Sequence, residues 1–92
     1  MESLDGLWDV RRTGGLVPPM IGVRKRVRGA RGETGVGRLP GLPFRVEGLS
    51  LHYLRPFTGF VDELEPQSDG FEGRALYRGH ELGRFELRRR EP

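Results

Sequence analysis

The chain has 92 residues, 32% of them charged, and a formal net charge of +3 at pH 7. This length predicts a single domain over residues 1–92 that buries about 60–65% of its unfolded surface. The absence of cysteine excludes disulfides and thiolate metal sites, and no apolar run approaches the ~20 residues of a transmembrane helix.

The basic residues are almost all arginine, and Lys25 is the only lysine. This bias is typical of a GC-rich bacterial genome. The start of the chain is acidic and lacks the basic and apolar regions of a signal peptide. We therefore expect a bacterial, cytoplasmic protein.

The chain is rich in residues that interrupt helices, with 15 glycines and seven prolines. Each interior glycine costs a helix about 1 kcal/mol and each proline about 3 kcal/mol. Short alternations of apolar and polar residues recur instead, with turn residues between them. After a helical turn at residues 2–5, this pattern predicts strands at residues 7–13, 20–28 and 33–39.

The fourth predicted strand, residues 44–54, changes phase along its length. Its apolar residues alternate from Phe44 onward and then, in the opposite phase, from Leu49, with Gly48 at the change. A β-bulge at Gly48 would produce this switch. A fifth strand is predicted at residues 57–65.

The last predicted element is a hairpin over residues 71–89 with a three-residue loop at residues 79–81. In that register, small residues stand opposite large ones on one face and opposite charges meet on the other, which stabilises a hairpin. The predicted pairs are Tyr77 with Gly83, Ala75 with Phe85, Gly73 with Leu87, Arg74 with Glu86 and Glu72 with Arg88.

These elements together predict an all-β fold, a small antiparallel meander of six to seven strands curled into a barrel or half-barrel. A short chain with an open sheet edge must protect that edge, which favours a homodimer. The positions predicted to form the core are Trp8, Val10, Ile21, Val23, Val27, Phe44, Val46, Leu51, Phe60, Leu64, Phe71, Tyr77, Phe85 and Leu87.

The first strand carries the motif Gly6-Leu7-Trp8. Here the chain resembles the lipocalin and calycin families, which open with a short helical turn and then Gly-x-Trp. The resemblance implies that Trp8 closes the narrow end of a barrel and that an arginine of the last strand, Arg84 or Arg88, lies over its ring. A cation over an aromatic face is attracted by about 0.5–2 kcal/mol.

The leading functional hypothesis is a non-enzymatic, lipocalin-like barrel that binds a small apolar or amphipathic ligand. Alternation places Asp62 on the inner face, and a buried carboxylate needs a partner. Arg12, on the Trp8 face of the first strand, is the candidate. The predicted ligand-binding residues are the aromatic side chains of Trp8, Phe44, Phe60 and Tyr77 and the polar anchors Arg12 and Asp62.

A second hypothesis is a nucleic-acid-binding barrel. Residues 11–38 carry eight basic side chains against Glu33 alone, and small barrels are common nucleic-acid platforms. The predicted phosphate contacts are Arg24, Arg26, Arg28 and Arg31. The same row of arginines would also be explained by an edge strand whose charges prevent aggregation. The third hypothesis is a structural, oligomerising module without a ligand.

The sequence contains no strong pattern of catalytic residues. Ser50 and His52 stand about 6–7 Å apart along a strand, too far for direct proton transfer. The two histidines, His52 and His80, have no second ligand at metal-binding spacing, so we expect neither a metal nor a cofactor. An enzyme is the least favoured class, although an inward Asp62 leaves that class open.

Overall fold

The computed structural model describes residues 4–15 and 21–90 of the chain. Its strands form one antiparallel meander in which each strand pairs with the next, and the last strand pairs with the first to close a barrel. The strands are β1 (Gly6–Gly15), β2 (Val23–Arg28), β3 (Arg31–Val36), β4 (Leu42–Glu47), β5 (Ser50–Tyr53), β6 (Phe60–Gln67), β7 (Gly70–Tyr77) and β8 (His80–Arg89).

The all-β antiparallel barrel is confirmed, but it has eight strands rather than six to seven. The additional strand arises at Gly48, where we predicted a bulge. Glu47 pairs directly with Ser50, so Gly48 and Leu49 form a two-residue hairpin turn. Gly48 has φ +59°, which suits the first central position of a type II′ turn, where glycine is preferred. A turn and a bulge both reverse the alternation, and the sequence pattern alone does not separate them.

The predicted register of the last hairpin is wrong by three residues beside the turn and by two residues from Ala75 outward, because the pairing shifts by one residue between Ala75 and Leu76. The turn consists of Arg78 and Gly79, both with positive φ (48° and 86°), so Tyr77 pairs with His80. This is the conformation of a type I′ turn, whose twist matches that of the flanking strands. The loop is therefore shorter than the predicted three residues, and the ladder is shifted along the chain.

The shift also changes which charges meet on the outer face. Glu72 lies opposite Glu86 and Arg74 opposite Arg84, so the predicted pairs of opposite charge do not form directly across the hairpin. The charges are compensated instead by the directly opposite residue of β6 in the case of Arg74, and diagonally across the hairpin in the case of Arg84. Arg74 binds Glu63 at 2.8 Å and Arg84 lies 3.4 Å from Glu72.

One end of the barrel, hereafter the closed end, is filled by large apolar side chains. Phe44 and Leu51 are completely buried, and Trp8 and Phe71 pack edge to face with ring centres 5.4 Å apart. Close packing here needs a residue without a side chain at Gly73, because a Cβ atom at that position would overlap the Phe85 ring. The hairpin thus matches a small residue to a large one, with a partner different from the predicted one.

Ile21 was predicted to lie in the core, but it is 88% exposed. The strand begins two residues later, at Val23, because Gly22 has φ +77° and interrupts the extended backbone. Ile21 therefore lies at the opposite end of the barrel, hereafter the open end. The predicted start of this strand at Met20, and residues 2–3 of the predicted helical turn, lie outside the described residues.

The closed barrel alters the argument for a dimer. Because β8 pairs with β1, the described strands leave no open sheet edge to protect. The homodimer stays a prediction without that support. The described part of the chain contains no helix long and apolar enough to cross a membrane.

Candidate functional site

The open half of the barrel contains a cavity of about 550 Å³. Its walls are aliphatic and aromatic, and its polar side chains are confined to one cluster. This volume falls within the range of small-molecule sites, about 300–1,000 Å³. The apolar wall includes Val10, Val23, Phe57, Phe60, Leu76 and Leu82, and the polar cluster consists of Lys25, Thr34, Tyr53 and Asp62.

The polar cluster joins four strands inside the barrel. The Lys25 ammonium lies 2.8 Å from Oδ2 of Asp62 and donates hydrogen bonds of 2.7 Å to Thr34 Oγ1 and Tyr53 Oη. Tyr53 donates to the same carboxylate oxygen of Asp62 at 3.0 Å. Lys25 and Asp62 are only 3% and 6% exposed, so this is a buried ion pair with its own hydrogen-bond network.

The hydroxyl protons of the cluster follow from a donor count. Tyr53 has one proton, which it donates to Asp62. The 2.6 Å contact between Thr34 Oγ1 and Tyr53 Oη therefore takes its proton from Thr34. With this assignment Lys25 uses its three ammonium protons, and each hydroxyl donates once.

Burial and charge shape the ionisation of the cluster. Burial by itself would lower the pKa of Lys25, but the Asp62 carboxylate and Tyr53 raise the pKa above its ordinary value of 10.5. Burial raises the pKa of Tyr53 above 10.0, although Lys25 opposes this shift. At neutral pH Lys25 is thus a cation and Tyr53 a neutral phenol. Neither is a nucleophile, so the cluster suits binding more than covalent chemistry.

Aromatic rings surround the ammonium on its other sides. Lys25 Nζ lies 5.6 Å from the ring centre of Phe44 and 5.4 Å from those of Tyr53 and Phe85. Cation–π attraction at desolvated sites contributes about 2 kcal/mol or more. Phe44 is completely buried and lies between the polar cluster and the packed closed end, whereas Tyr53 and Phe85 line the cavity. The cluster therefore forms the floor of the cavity.

The predicted ligand-binding residues are only partly brought together. Phe60 and Asp62 line the cavity. Tyr77 packs on Phe60 with ring centres 4.6 Å apart, behind the lining. Phe44 lies below the polar floor, where it packs against Tyr53.

Arg12 does not partner Asp62. Its side chain is exposed and donates to the carbonyl of Gly15 at 3.4 Å. It borders a separate depression of about 410 Å³ between β1 and the residues that precede β2. The charge partner of Asp62 is Lys25 of β2, the strand that lies next to the β1 strand of Arg12.

Trp8 lies in the closed end and does not line the cavity. Its indole N–H donates to the carbonyl of Leu4 at 2.8 Å. An arginine of the last strand does cover the ring, but it is Arg89 and not Arg84 or Arg88, with its guanidinium 4.3 Å from the ring centre. The alternation of β8 explains the difference, because Arg84 and Arg88 point outward.

Sequence reasoning missed three members of the cluster: Lys25, Thr34 and Tyr53. The signal for Lys25 was present, since the only lysine occupies an inward position between Val23 and Val27. A charged residue at an inward strand position calls for a partner of opposite charge. Thr34 follows from the register, because it pairs directly with Lys25.

The arginines of the second hypothesis do lie on the outer surface. Arg24 donates to the carbonyl of Gly37 at 3.1 Å, whereas Arg26, Arg28 and Arg31 have no ion-pair partner among the residues the structure describes. Arg28 pairs directly with Arg31 across the strands. Neither β2 nor β3 contains an aromatic residue, so this surface offers no platform for stacked bases.

No group of three side chains that could together bind a metal ion occurs within residues 4–15 and 21–90.

Comparison with models of known protein families, with curated proteins and with solved structures finds no match. The cavity and its polar floor are therefore the features of the molecule from which a function can be inferred.

Proposed function

We propose that the protein is a non-enzymatic, lipocalin-like barrel that binds a small amphipathic molecule in the cavity of its open half. The apolar part of the ligand lies along Val23, Phe60 and Leu82, and its polar group reaches Asp62 at the floor. The observation that carries this proposal is the position of the Lys25–Asp62 pair, at the inner limit of an otherwise apolar cavity.

Energetics support a binding role for this pair. A buried ion pair is often no more stabilising than apolar residues of similar volume. Placing both charges where a cavity reaches them is best explained by recognition of a polar group.

The arrangement of the two ends supports the lipocalin-like interpretation. Trp8 of the Gly-x-Trp motif and Arg89 close one end, and the cavity occupies the other. The exposed apolar side chains Ile21 and Leu39, 88% and 71% exposed, belong to loops at the open end. An apolar rim of this kind suits the entry of a lipophilic molecule.

Two measurements test the proposal. Native mass spectrometry of protein purified from its own host should show a retained small molecule, and a neutral solvatochromic dye should bind with a stoichiometry of about one, as expected for one cavity. Ala75→Phe places a ring in the cavity and should abolish dye binding. Ala30→Phe adds the same ring on the exposed turn at the other end and should leave binding unchanged. Equal dye binding by both variants, or none by the wild type, would overturn the proposal.

The outer arginines favour nucleic acid as a second candidate. Arg28, Arg31 and Arg45 form a row directly across β2, β3 and β4, in which Arg45 is paired with Glu47 at 2.9 Å and Arg28 and Arg31 have no ion-pair partner among the described residues. Like charges directly opposite one another destabilise a sheet, so a bound phosphate backbone would relieve the repulsion. The absence of aromatic residues on β2 and β3 favours backbone contacts over base contacts.

This second candidate predicts binding to mixed oligonucleotides that weakens steeply with salt. Replacing Arg31 by alanine should reduce the salt slope by about one unit. Arg74→Ala is the matched control, because Arg74 is already paired with Glu63. Salt-independent binding, or none, would leave the cavity as the only proposed site, and failure of both tests would favour a structural module.

A further inference from the structure

We propose that the floor of the cavity selects ligands whose polar group donates a hydrogen bond, such as an alcohol or an amine, and excludes carboxylates. This inference rests on the proposed function and adds the class of the ligand. The evidence is the number of hydrogen-bond donors in the polar cluster and the carboxylate oxygen of Asp62 that has no hydrogen bond within it.

The cluster has no donor left for a ligand. The three ammonium protons of Lys25 go to Thr34, Tyr53 and Asp62. The hydroxyl protons of Thr34 and Tyr53 are used within the cluster as well. A carboxylate brought to this floor would find no N–H or O–H to replace those of its hydration shell.

One acceptor atom of the cluster, Oδ1 of Asp62, has no hydrogen bond from any described residue. Both Lys25 and Tyr53 bind Oδ2 of Asp62, and none of the described residues donates to Oδ1. No fully enclosed side-chain nitrogen or oxygen among those residues lacks a partner. The Oδ1 atom must therefore touch open space, and Asp62 lines the cavity. A ligand hydroxyl or ammonium group is the natural partner for that oxygen.

The charge of the floor leads to the same ligand class. Lys25 and Asp62 neutralise each other, so the floor has no net positive charge with which to hold an anion. An anionic group would instead lie beside the open oxygen of Asp62 and be repelled. Unpaired burial of a carboxylate is strongly unfavourable, whereas a hydroxyl donating to a carboxylate makes a charge-assisted hydrogen bond.

Three ligands with the same ten-carbon chain test this selectivity. The probes 1-decanol, decylamine and decanoate compete with the neutral solvatochromic dye at pH 7. Decanol and decylamine should displace the dye at least about tenfold more effectively than decanoate, the effect of one hydrogen bond to a charged group. Decanoate binding as tightly as decanol would overturn the inference while the proposed function stands. Dye binding with no displacement by any probe would overturn the inference too, and absence of dye binding would overturn both.

Two variants test the role of the cluster itself. Asp62→Asn removes the charged acceptor and leaves Lys25 without its counter-charge, so decanoate should become the preferred probe. Glu65→Gln is the matched control, because it removes a carboxylate from an exposed position on the same strand and should change no preference. An unchanged preference for decanol in Asp62→Asn would contradict the inference.

Thr34→Val covers the case in which Asp62→Asn fails to fold. It removes one acceptor of Lys25 and leaves the ion pair in place, which frees one ammonium proton beside the cavity. Decanoate binding should then improve about tenfold relative to the wild type. No improvement, with circular dichroism showing a folded barrel, would contradict the donor count.

Discussion

Arg89 lies over Trp8 with its guanidinium carbon 4.3 Å from the ring centre, and the two residues stand directly opposite each other on β8 and β1. Arg89 also donates to the carbonyl of Asp5 at 2.8 Å. The last strand thereby covers the ring that fills the closed end. This contact joins the two ends of the chain at the seam where the barrel closes.

Replacing Arg89 by alanine should lower the free energy of unfolding by about 1 kcal/mol, because it removes a cation–π contact and a hydrogen bond. Arg88→Ala is the control. Arg88 is on the outer face, 3.4 Å from Glu86, and an exposed pair contributes little. Urea denaturation of the two variants measures the difference, and equal losses would show that Arg89 has no special role in closure.

The buried pair should behave asymmetrically on mutation. Lys25→Met or Asp62→Leu alone leaves an uncompensated buried charge and should cost about 3–5 kcal/mol. The double variant removes both charges, so it should be more stable than either single variant. A double-mutant cycle measured by urea denaturation tests this, and additive losses would mean that the two charges do not interact.

Stability should fall at alkaline pH. The pKa of Lys25 and that of Tyr53 are raised above the ordinary values of 10.5 and 10.0. Above pH 10 to 10.5 the unfolded chain therefore loses protons that the folded barrel retains. Because the folded state then binds more protons, the free energy of unfolding decreases as pH rises through this window.

The measurement is urea denaturation between pH 8 and pH 11.5, with the Lys25→Met/Asp62→Leu double variant as the reference. The wild type should lose more stability than the double variant above pH 10.5, since the variant lacks the lysine. Parallel pH profiles would show that the alkaline transition has another origin.

The packing of the last hairpin predicts a sharp difference between two glycines. Gly73→Ala places a methyl group against the Phe85 ring, and Phe85 is only 2% exposed. Overpacking of this kind costs about 1–3 kcal/mol. Gly35→Ala meets nothing within 4 Å and should be nearly neutral. Thermal denaturation compares the two, and equal midpoints would show that the ring can move aside.

Alternation along the strands predicted most of the inward residues, although Ile21 and Arg12, which were also expected to face the interior, are exposed. Phe44, Phe85 and Asp62 are buried as expected, although the register of the final hairpin was wrong. From Ala75 outward the error is two residues, and side chains on a strand repeat every two residues. A shift of two residues gives each residue a new cross-strand partner but leaves its side chain on the same face of the sheet. The predicted core positions of the hairpin therefore stay correct, whereas the predicted charge pairs do not.

Turn geometry limited the rest of the prediction. If Gly48 forms a bulge, the residues after it continue the same strand, and if it forms a hairpin turn, they run back beside that strand. The local sequence does not distinguish these two cases. The count of strands, the closure of β8 onto β1 and the loss of the open edge all follow from that choice. The argument for a homodimer depended on the same point.

The amino-acid sequence was enough to establish the all-β class, the inward face of most strands and an inward carboxylate at Asp62, because these depend on a period of two residues. That Lys25 is the partner of Asp62 became clear only from the folded barrel. These residues lie on β2 and β6, which are not neighbours in the sheet. Their side chains meet across the interior because the barrel closes, and closure is a property of all eight strands together.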